Sequence, residues 1–123
     1  MLNNYDYNTR LCLDFKHFRS SEFACHCGCG HPAKLDAKLL YRLELLRSHF
    51  GKPVVITSGV RCRKYNSTLP GALADSAHIY GNAADVYIKG VPPVEIVKFW
   101  KKNKFGFSYY GTSNMGNCAH VQV

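Results

Sequence analysis

The sequence predicts a small α+β fold in which helices flank an antiparallel sheet. Two helical patterns and four short apolar runs share a chain of 123 residues. They do not follow the regular strand-helix-strand alternation that builds a parallel sheet, so an antiparallel arrangement is favoured. The length and a hydrophobic content of 46% are typical of one globular domain. We therefore expect residues 1–123 to form a single domain.

The longest helical pattern runs from Lys34 to Phe50. Apolar side chains recur there at intervals of three and four residues, at Leu35, Leu39, Leu43, Leu46 and Phe50. This spacing predicts an amphipathic helix. Asp36 is favourably placed in its first turn, and Gly51 is a typical stop signal.

The remaining elements follow this helix. Short apolar or β-branched runs predict strands, and these runs are Pro53–Thr57, Ala83–Ile88, Phe107–Tyr110 and Ala119–Val123. Pro92 and Pro93 open a second helix that continues to about Lys102, because proline is tolerated in a first helical turn.

The chain is strongly basic, with 16 Lys and Arg against eight Asp and Glu and a formal net charge of +8. Such an excess suits nucleic acid, an anionic membrane surface or an anionic cell-wall polymer. The sequence has neither an RNA-stacking signature nor a basic recognition helix, so we expect no nucleic acid partner. The basic run at Lys98–Lys104 is also compatible with a simple solvated helix face.

The sequence has no membrane span, because no apolar run approaches the roughly 20 residues required. Its start, Met1–Asp6, lacks the basic and then apolar regions of a signal peptide. Either the protein is made in the cytoplasm or the chain is an excised domain; we expect the first, with action at the cell wall if the protein is phage-derived or released.

Six cysteines are present, and three of them crowd together as Cys25, Cys27 and Cys29. Zinc ribbons and fingers use a two-residue gap between paired cysteines, which this cluster lacks. The cluster could hold reduced thiols, a disulfide or a second metal, and Cys62 has the same three interpretations. Disulfides are the weaker one in the absence of a secretion signal.

A candidate metal site lies between Ser76 and Asp85. His78 is followed by the small residues Gly81, Ala83 and Ala84 and then by Asp85, and a further histidine, His120, lies in the last predicted strand. Two imidazoles and one carboxylate form a ligand set typical of catalytic zinc, because a fourth position stays open. The plainer alternative is a capped turn with a hydrogen-bonded structural histidine.

Longer motifs around these residues resemble the M15 zinc peptidases over roughly residues 13 to 122. The matching motifs occur in the family's order, as Ile56–Cys62, Asn66, Gly71, Ser76–His78, Gly81–Asp85 and Ala119–Val121. The likeness is closest to a small branch with segments similar to Ser21–Cys25 and Gly106–Tyr110. The family includes D-alanyl-D-alanine carboxypeptidases and phage endolysins, and it shares its fold with the hedgehog signalling domain.

The resemblance implies one Zn²⁺ ion held by His78, Asp85 and His120. It also implies that Arg61 binds the substrate or its developing oxyanion, although Arg61 could equally brace Asp85 or lie in solvent. We expect Ser76 to contact substrate or to cap its loop. Tyr110, with Tyr109 beside it, is expected either to line the groove or to form an aromatic pair on a strand.

Two positions depart from the family pattern. Many members carry Glu or Asp three residues before the last histidine, where it takes a proton from the attacking water, and this chain has Asn117 there. Members of the small branch often carry Asp two residues after that histidine, where this chain has Gln122. Asn117 or Gln122 could orient the water by hydrogen bonding, but neither amide can act as a base, and a missing base typically costs about 10²–10⁴-fold in rate. Asp75 or Glu22 could supply the carboxylate instead.

The sequence is consistent with two alternative functions. The first is a zinc peptidase that cuts peptide stems of bacterial peptidoglycan at the cell wall, as a carboxypeptidase or an endopeptidase. The second is a zinc-containing but catalytically inert module that binds the cell wall or another partner. A carboxylate within one water of the metal would favour the first.

Overall fold

The computed structural model describes residues 4–5, 17–18, 20–23, 35–59, 61–69, 76–111 and 116–123. Its helices are α1 (Ala37–Phe50), α2 (Arg63–Ser67) and α3 (Pro93–Lys102), with 3₁₀ helices at Ser20–Phe23 and Ala77–Tyr80. Its strands are β1 (Asn4–Tyr5), β2 (Leu35–Asp36), β3 (Val55–Ser58), β4 (Ala83–Tyr87), β5 (Ser108–Tyr110) and β6 (Ala119–Gln122). Asp75 and the cluster of Cys25, Cys27 and Cys29 lie outside the described residues, so their predicted roles stay predictions.

The main sheet has the strand order β3-β4-β6-β5, and each neighbouring pair is antiparallel. The strands β1 and β2 form a separate antiparallel pair. An antiparallel sheet with flanking helices confirms the predicted α+β class. Among the described residues, none of the helices is long and apolar enough to cross a membrane.

Helix α1 begins later than the periodicity predicts. Leu35 and Asp36 are extended and pair with β1, so the helix starts at Ala37 rather than at Lys34. Asp36 is its N-cap, and the carboxylate accepts a hydrogen bond of 2.8 Å from the Lys38 amide. The helix ends as predicted at Gly51, which adopts a φ of 63° and donates to the Arg47 carbonyl at 2.8 Å.

Helix α2 was not anticipated, because five residues are too few to show an amphipathic period. Cys62 is its N-cap, and the sulfur accepts a hydrogen bond of 3.3 Å from the Tyr65 amide. Neither Cys62 nor Cys118 forms a disulfide in this structure. The disulfide interpretation of Cys62 is therefore not supported, and the choice between a reduced thiol and a metal ligand stays a prediction.

The hydrophobic core lies on one face of the main sheet. Alternate strand residues point to opposite faces, and the core-facing positions of β4 and β6 are Ala84, Val86, Ala119 and Val121. They pack with buried side chains of α1 and α3, which include Leu39, Leu43, Leu46, Ile96 and Trp100. The intervening residues Asp85 and His120 must therefore lie on the other face, away from these helices.

Candidate metal centre

Asp85 and His120 are neighbours because of the strand register. They are direct partners in the antiparallel pair of β4 and β6, so their side chains leave the same face of the sheet side by side. His78 reaches them from the 3₁₀ helix Ala77–Tyr80. We call these three residues the His-Asp-His triad, and they are the residues among the described part of the chain whose side chains could jointly hold a metal ion.

Three side-chain atoms of the triad form a small triangle. His78 Nε2 lies 3.2 Å from His120 Nδ1 and 3.3 Å from Asp85 Oδ1, and the latter two atoms are 3.0 Å apart. Ligands at 2.0–2.1 Å from a tetrahedral zinc ion are separated by about 3.3–3.4 Å. The triangle therefore has nearly the size of one face of a zinc tetrahedron, and the donor set fits this ion.

The outer nitrogen of His78 is fixed by a backbone carbonyl. Its Nδ1 lies 2.7 Å from the Gly59 oxygen, and a carbonyl can only accept a hydrogen bond. Nδ1 therefore carries a proton, and in the neutral ring that metal binding requires the lone pair of Nε2 is directed into the triad. His78 is only 2% exposed, so this hydrogen bond also satisfies a buried polar atom.

The loop of His78 is held by Ser76 and Gly81. The Ser76 hydroxyl accepts a hydrogen bond of 3.2 Å from the His78 amide, and Ser76 is the N-cap of the 3₁₀ helix. Gly81 ends this helix with a φ of 75°, a conformation that favours glycine. The Arg61 amide also donates to the His78 carbonyl at 3.1 Å. The contacts of Ser76 are those of a loop cap.

Arg61 braces the carboxylate of the triad. Its Nη2 donates to Asp85 Oδ2 at 3.2 Å, its Nη1 to Asn66 Oδ1 at 3.2 Å, and its Nε to Ser58 Oγ at 3.1 Å. A planar guanidinium donates to these acceptors from three nitrogens held in a fixed fork, whereas a lysine ammonium offers a single nitrogen. Asp85 thus has one oxygen toward the histidines and the other toward Arg61.

The charge of Asp85 is stabilised inside the triad. Burial raises the pKa of this carboxyl, but in the metal-free protein the hydrogen bonds that it accepts from His120 and then from His78, together with the charges of these rings when both are protonated, outweigh burial and hold the pKa well below its usual range. Asp85 is therefore ionised at neutral pH, as a metal ligand must be.

Aromatic rings cover the exposed side of His120. The Tyr109 ring stacks on the imidazole with centroids 4.6 Å apart and an interplanar angle of 18°. Tyr109 is the strand partner of His120, which explains why both side chains share a face. Burial, followed by the negative charge of Asp85, raises the pKa of the Tyr109 hydroxyl, so it remains a hydrogen-bond donor at neutral pH.

The structure brings Tyr109, rather than Tyr110, to the triad. Tyr110 pairs with Ala119 in the register, and the Ala119 side chain belongs to the core. Strand alternation therefore places Tyr110 on the face opposite His120. Strand alternation puts only one of the two tyrosines on the same face as His120. Which one it is can be decided only when the pairing of β5 with β6 is known.

Asn117 lies in the exposed turn before β6. The structure gives it no side-chain hydrogen bond to another described residue, so it is not joined to the triad. Gln122 is closer, with its Oε1 2.8 Å from His120 Nε2. It contacts the outer nitrogen of the imidazole, on the side away from the triangle.

Three other carboxylates of the described residues are engaged elsewhere. Asp36 caps α1, Glu44 binds the amide and the Nδ1 atom of His17 at 2.7 Å, and Glu95 pairs with Lys98 at 3.7 Å. Glu22 lies exposed in the 3₁₀ helix Ser20–Phe23.

Comparison with known proteins agrees with the site. Neither a curated protein nor a solved structure matches the chain. The family model described as Peptidase M15 matches residues 16–122, a range that contains the whole triad and Arg61. The match spans most of the sequence and confirms the resemblance carried by the motifs around His78 and His120. The chain therefore belongs to the M15 peptidase family, whose members are typically zinc-dependent.

Proposed function

We propose that this peptidase uses one zinc ion, held by His78, Asp85 and His120, to hydrolyse peptide bonds in the stems of bacterial peptidoglycan. The observation that carries the proposal is the triangle of ligand atoms with edges of 3.0–3.3 Å. Zinc bound by three protein ligands lowers the pKa of a water molecule and polarises a carbonyl. The peptidoglycan substrate is supported by the motif resemblance, and the net charge of +8 suits an anionic wall polymer.

The protein's own groups prepare this chemistry. Arg61 holds Asp85 in the orientation that directs Oδ1 between the two imidazoles. A guanidinium has five N–H donors, and three of its nitrogens already contact Ser58, Asn66 and Asp85. Its remaining N–H groups can donate to a substrate carboxylate or oxyanion, so bracing and substrate binding are compatible. We place the Tyr109 ring at the wall of the substrate groove.

The proton acceptor comes from outside the triad in this proposal. Asn117 and Gln122 cannot accept a proton as a base, so we assign the role to Glu22 or Asp75. Glu22 precedes Phe23, whose Cα would lie 2.5 Å from a Cβ built on Gly59. The carbonyl oxygen of Gly59 accepts the hydrogen bond from His78 Nδ1. The helix that carries Glu22 is thus packed against the support of the triad.

A second function, an inert zinc-containing module that binds the cell wall, has one observation in its favour. Among the described carboxylates, Asp85 alone is hydrogen-bonded to the triad histidines. If no carboxylate lies close enough to the metal to take a proton from a water molecule there, the protein would bind peptides without cutting them.

Incubation of the zinc-loaded protein with defined muropeptides, with products identified by mass spectrometry, separates the two functions. A carboxypeptidase releases terminal D-alanine, whereas an endopeptidase splits the cross-bridge. We expect His78→Ala to abolish cleavage and zinc binding. His49→Ala is the matched control, because His49 is exposed on α1 and stacks on Phe99 at 4.4 Å. A zinc-loaded wild type that cuts no muropeptide but still binds cell walls would favour the inert module.

A further inference from the structure

We infer that Gln122 is the positioning residue for His120 and that it fixes which imidazole nitrogen is available to the metal. The inference rests on the proposed zinc site. Gln122 Oε1 lies 2.8 Å from His120 Nε2, while His120 Nδ1 faces His78 and Asp85. An amide oxygen only accepts hydrogen bonds, so this contact keeps the proton on Nε2. In the neutral ring that binds zinc, the lone pair of Nδ1 is then free to point into the triangle.

Hydrogen bonds and close packing fix the backbone position of Gln122, and this keeps its side chain within hydrogen-bond distance of His120. Its amide donates to the Phe107 carbonyl at 2.9 Å, and its carbonyl accepts from the buried Trp100 indole at 3.0 Å. A Cβ added to Gly106 would lie 2.0 Å from the same carbonyl, so the neighbouring chain packs closely against it. Gln122 and His120 are two residues apart on one strand and therefore share a face.

The two histidines of the triad are supported in mirror fashion. The Gly59 carbonyl accepts from Nδ1 of His78 and directs Nε2 inward. The Gln122 amide accepts from Nε2 of His120 and directs Nδ1 inward. Both supports are neutral oxygens, so Asp85 contributes the negative charge of the donor set. Stacking on Tyr109 further restricts rotation of the His120 ring.

This arrangement gives position 122 a different role from the one that the motif comparison suggested. A carboxylate at this position would meet the outer nitrogen of His120 rather than a water molecule on the inner side. It would increase the basicity of the imidazole as a ligand, as carboxylate–histidine pairs do at zinc sites. Residue 122 therefore controls how tightly zinc is held, and the proton acceptor for hydrolysis lies elsewhere.

The test compares Gln122→Met, which keeps the length but removes the acceptor, with Gln122→Glu, which keeps the acceptor. The zinc dissociation constant is measured by competition with a chromophoric chelator. Loss of an outer hydrogen-bond partner typically weakens metal binding about 10–100-fold, and we expect this loss for Gln122→Met. Gln122→Glu should bind zinc at least as tightly as wild type. Asn103→Leu is the control, since it removes a surface amide that donates to Phe99.

A second measurement does not depend on any variant folding. In ¹⁵N-labelled, zinc-loaded wild type, long-range ¹H–¹⁵N spectra should show Nδ1 of His120 bound to metal and Nε2 protonated. Zinc on Nε2, or equal affinities of wild type and Gln122→Met, would overturn the inference. Weaker binding by Gln122→Glu would overturn it as well. A wild type that binds no zinc removes this inference together with the proposed function, whereas a zinc-binding wild type that cuts nothing removes only the latter.

Discussion

Replacing Arg61 by alanine tests whether its guanidinium supports the triad. The side chains of Arg61 and Asp85 are only 12% and 16% exposed, and their closest atoms are 3.2 Å apart. Removing one member of a buried ion pair costs about 3–5 kcal/mol because the other charge stays buried. Residual solvent contact reduces this cost, so we expect the metal-free protein to lose about 2–3 kcal/mol of unfolding free energy.

The assay is urea unfolding in the presence of a chelator, so that zinc binding does not contribute. Arg63→Ala is the matched control, because Arg63 is an exposed arginine two positions along that donates to the Tyr80 hydroxyl at 2.8 Å. An exposed contact such as that between Arg63 and Tyr80 contributes less than about 1 kcal/mol to the free energy of unfolding. Equal unfolding free energies for Arg61→Ala and Arg63→Ala would refute the bracing role. With zinc saturating, a further decrease in cleavage of about 10²-fold would show that Arg61 also stabilises the transition state.

Three further predictions concern the surroundings of the triad. Tyr109→Ala should raise the KM for peptide substrate, whereas Tyr110→Ala should leave it near the wild-type value, and the reverse order in steady-state kinetics would contradict the placement of these rings. Of Glu22→Gln and Asp75→Asn, one should lower kcat about 10²–10⁴-fold at unchanged zinc content, whereas Asn117→Asp should leave kcat near the wild-type value; a gain in kcat for Asn117→Asp would contradict the placement of this residue away from the triad. Because the folded-state pKa of Asp85 is lowered from 3.8, its ionised form contributes stability that is present above that value and is lost as the pH falls below it. Acid titration of the metal-free protein by circular dichroism should therefore show a shallower loss of stability for Asp85→Asn, and identical titrations would contradict this.

Much of the fold could be predicted from local patterns. Helix α1 is long enough to show its 3.6-residue period, and Gly51 and Pro93 mark helix ends by backbone conformation alone. The prediction started α1 too early because Leu35 fits the helical period, although its backbone is extended. Whether a residue at a helix start is helical or paired in a strand depends on β1, which is remote in sequence.

The candidate site was predictable as a list of residues but not as an arrangement. His78, Asp85 and His120 stand out by residue type and by their motifs. The register that pairs Asp85 with His120 is a long-range property, and so is the contact of Gln122 with the outer nitrogen. Tyr109 and Tyr110 are indistinguishable in the sequence, since only the pairing of β5 with β6 determines which ring reaches His120.

The role of Arg61 shows the same limit. The sequence allowed it to bind substrate, to brace Asp85 or to lie in solvent. Its contacts with Ser58, Asn66 and Asp85 join β3, α2 and β4. No local sequence pattern predicts contacts between these separate elements. Residues that position a metal ligand, rather than bind the metal themselves, are therefore the hardest to predict from the sequence.

The most direct test of the central claim is anomalous diffraction at the zinc edge from crystals of the zinc-loaded protein. We expect one strong peak about 2.0–2.1 Å from His78 Nε2, His120 Nδ1 and Asp85 Oδ1. The peak should vanish in crystals of His120→Ala grown with the same zinc concentration. A zinc peak held by other residues, such as Cys25, Cys27 and Cys29, with none at the triad would contradict the account.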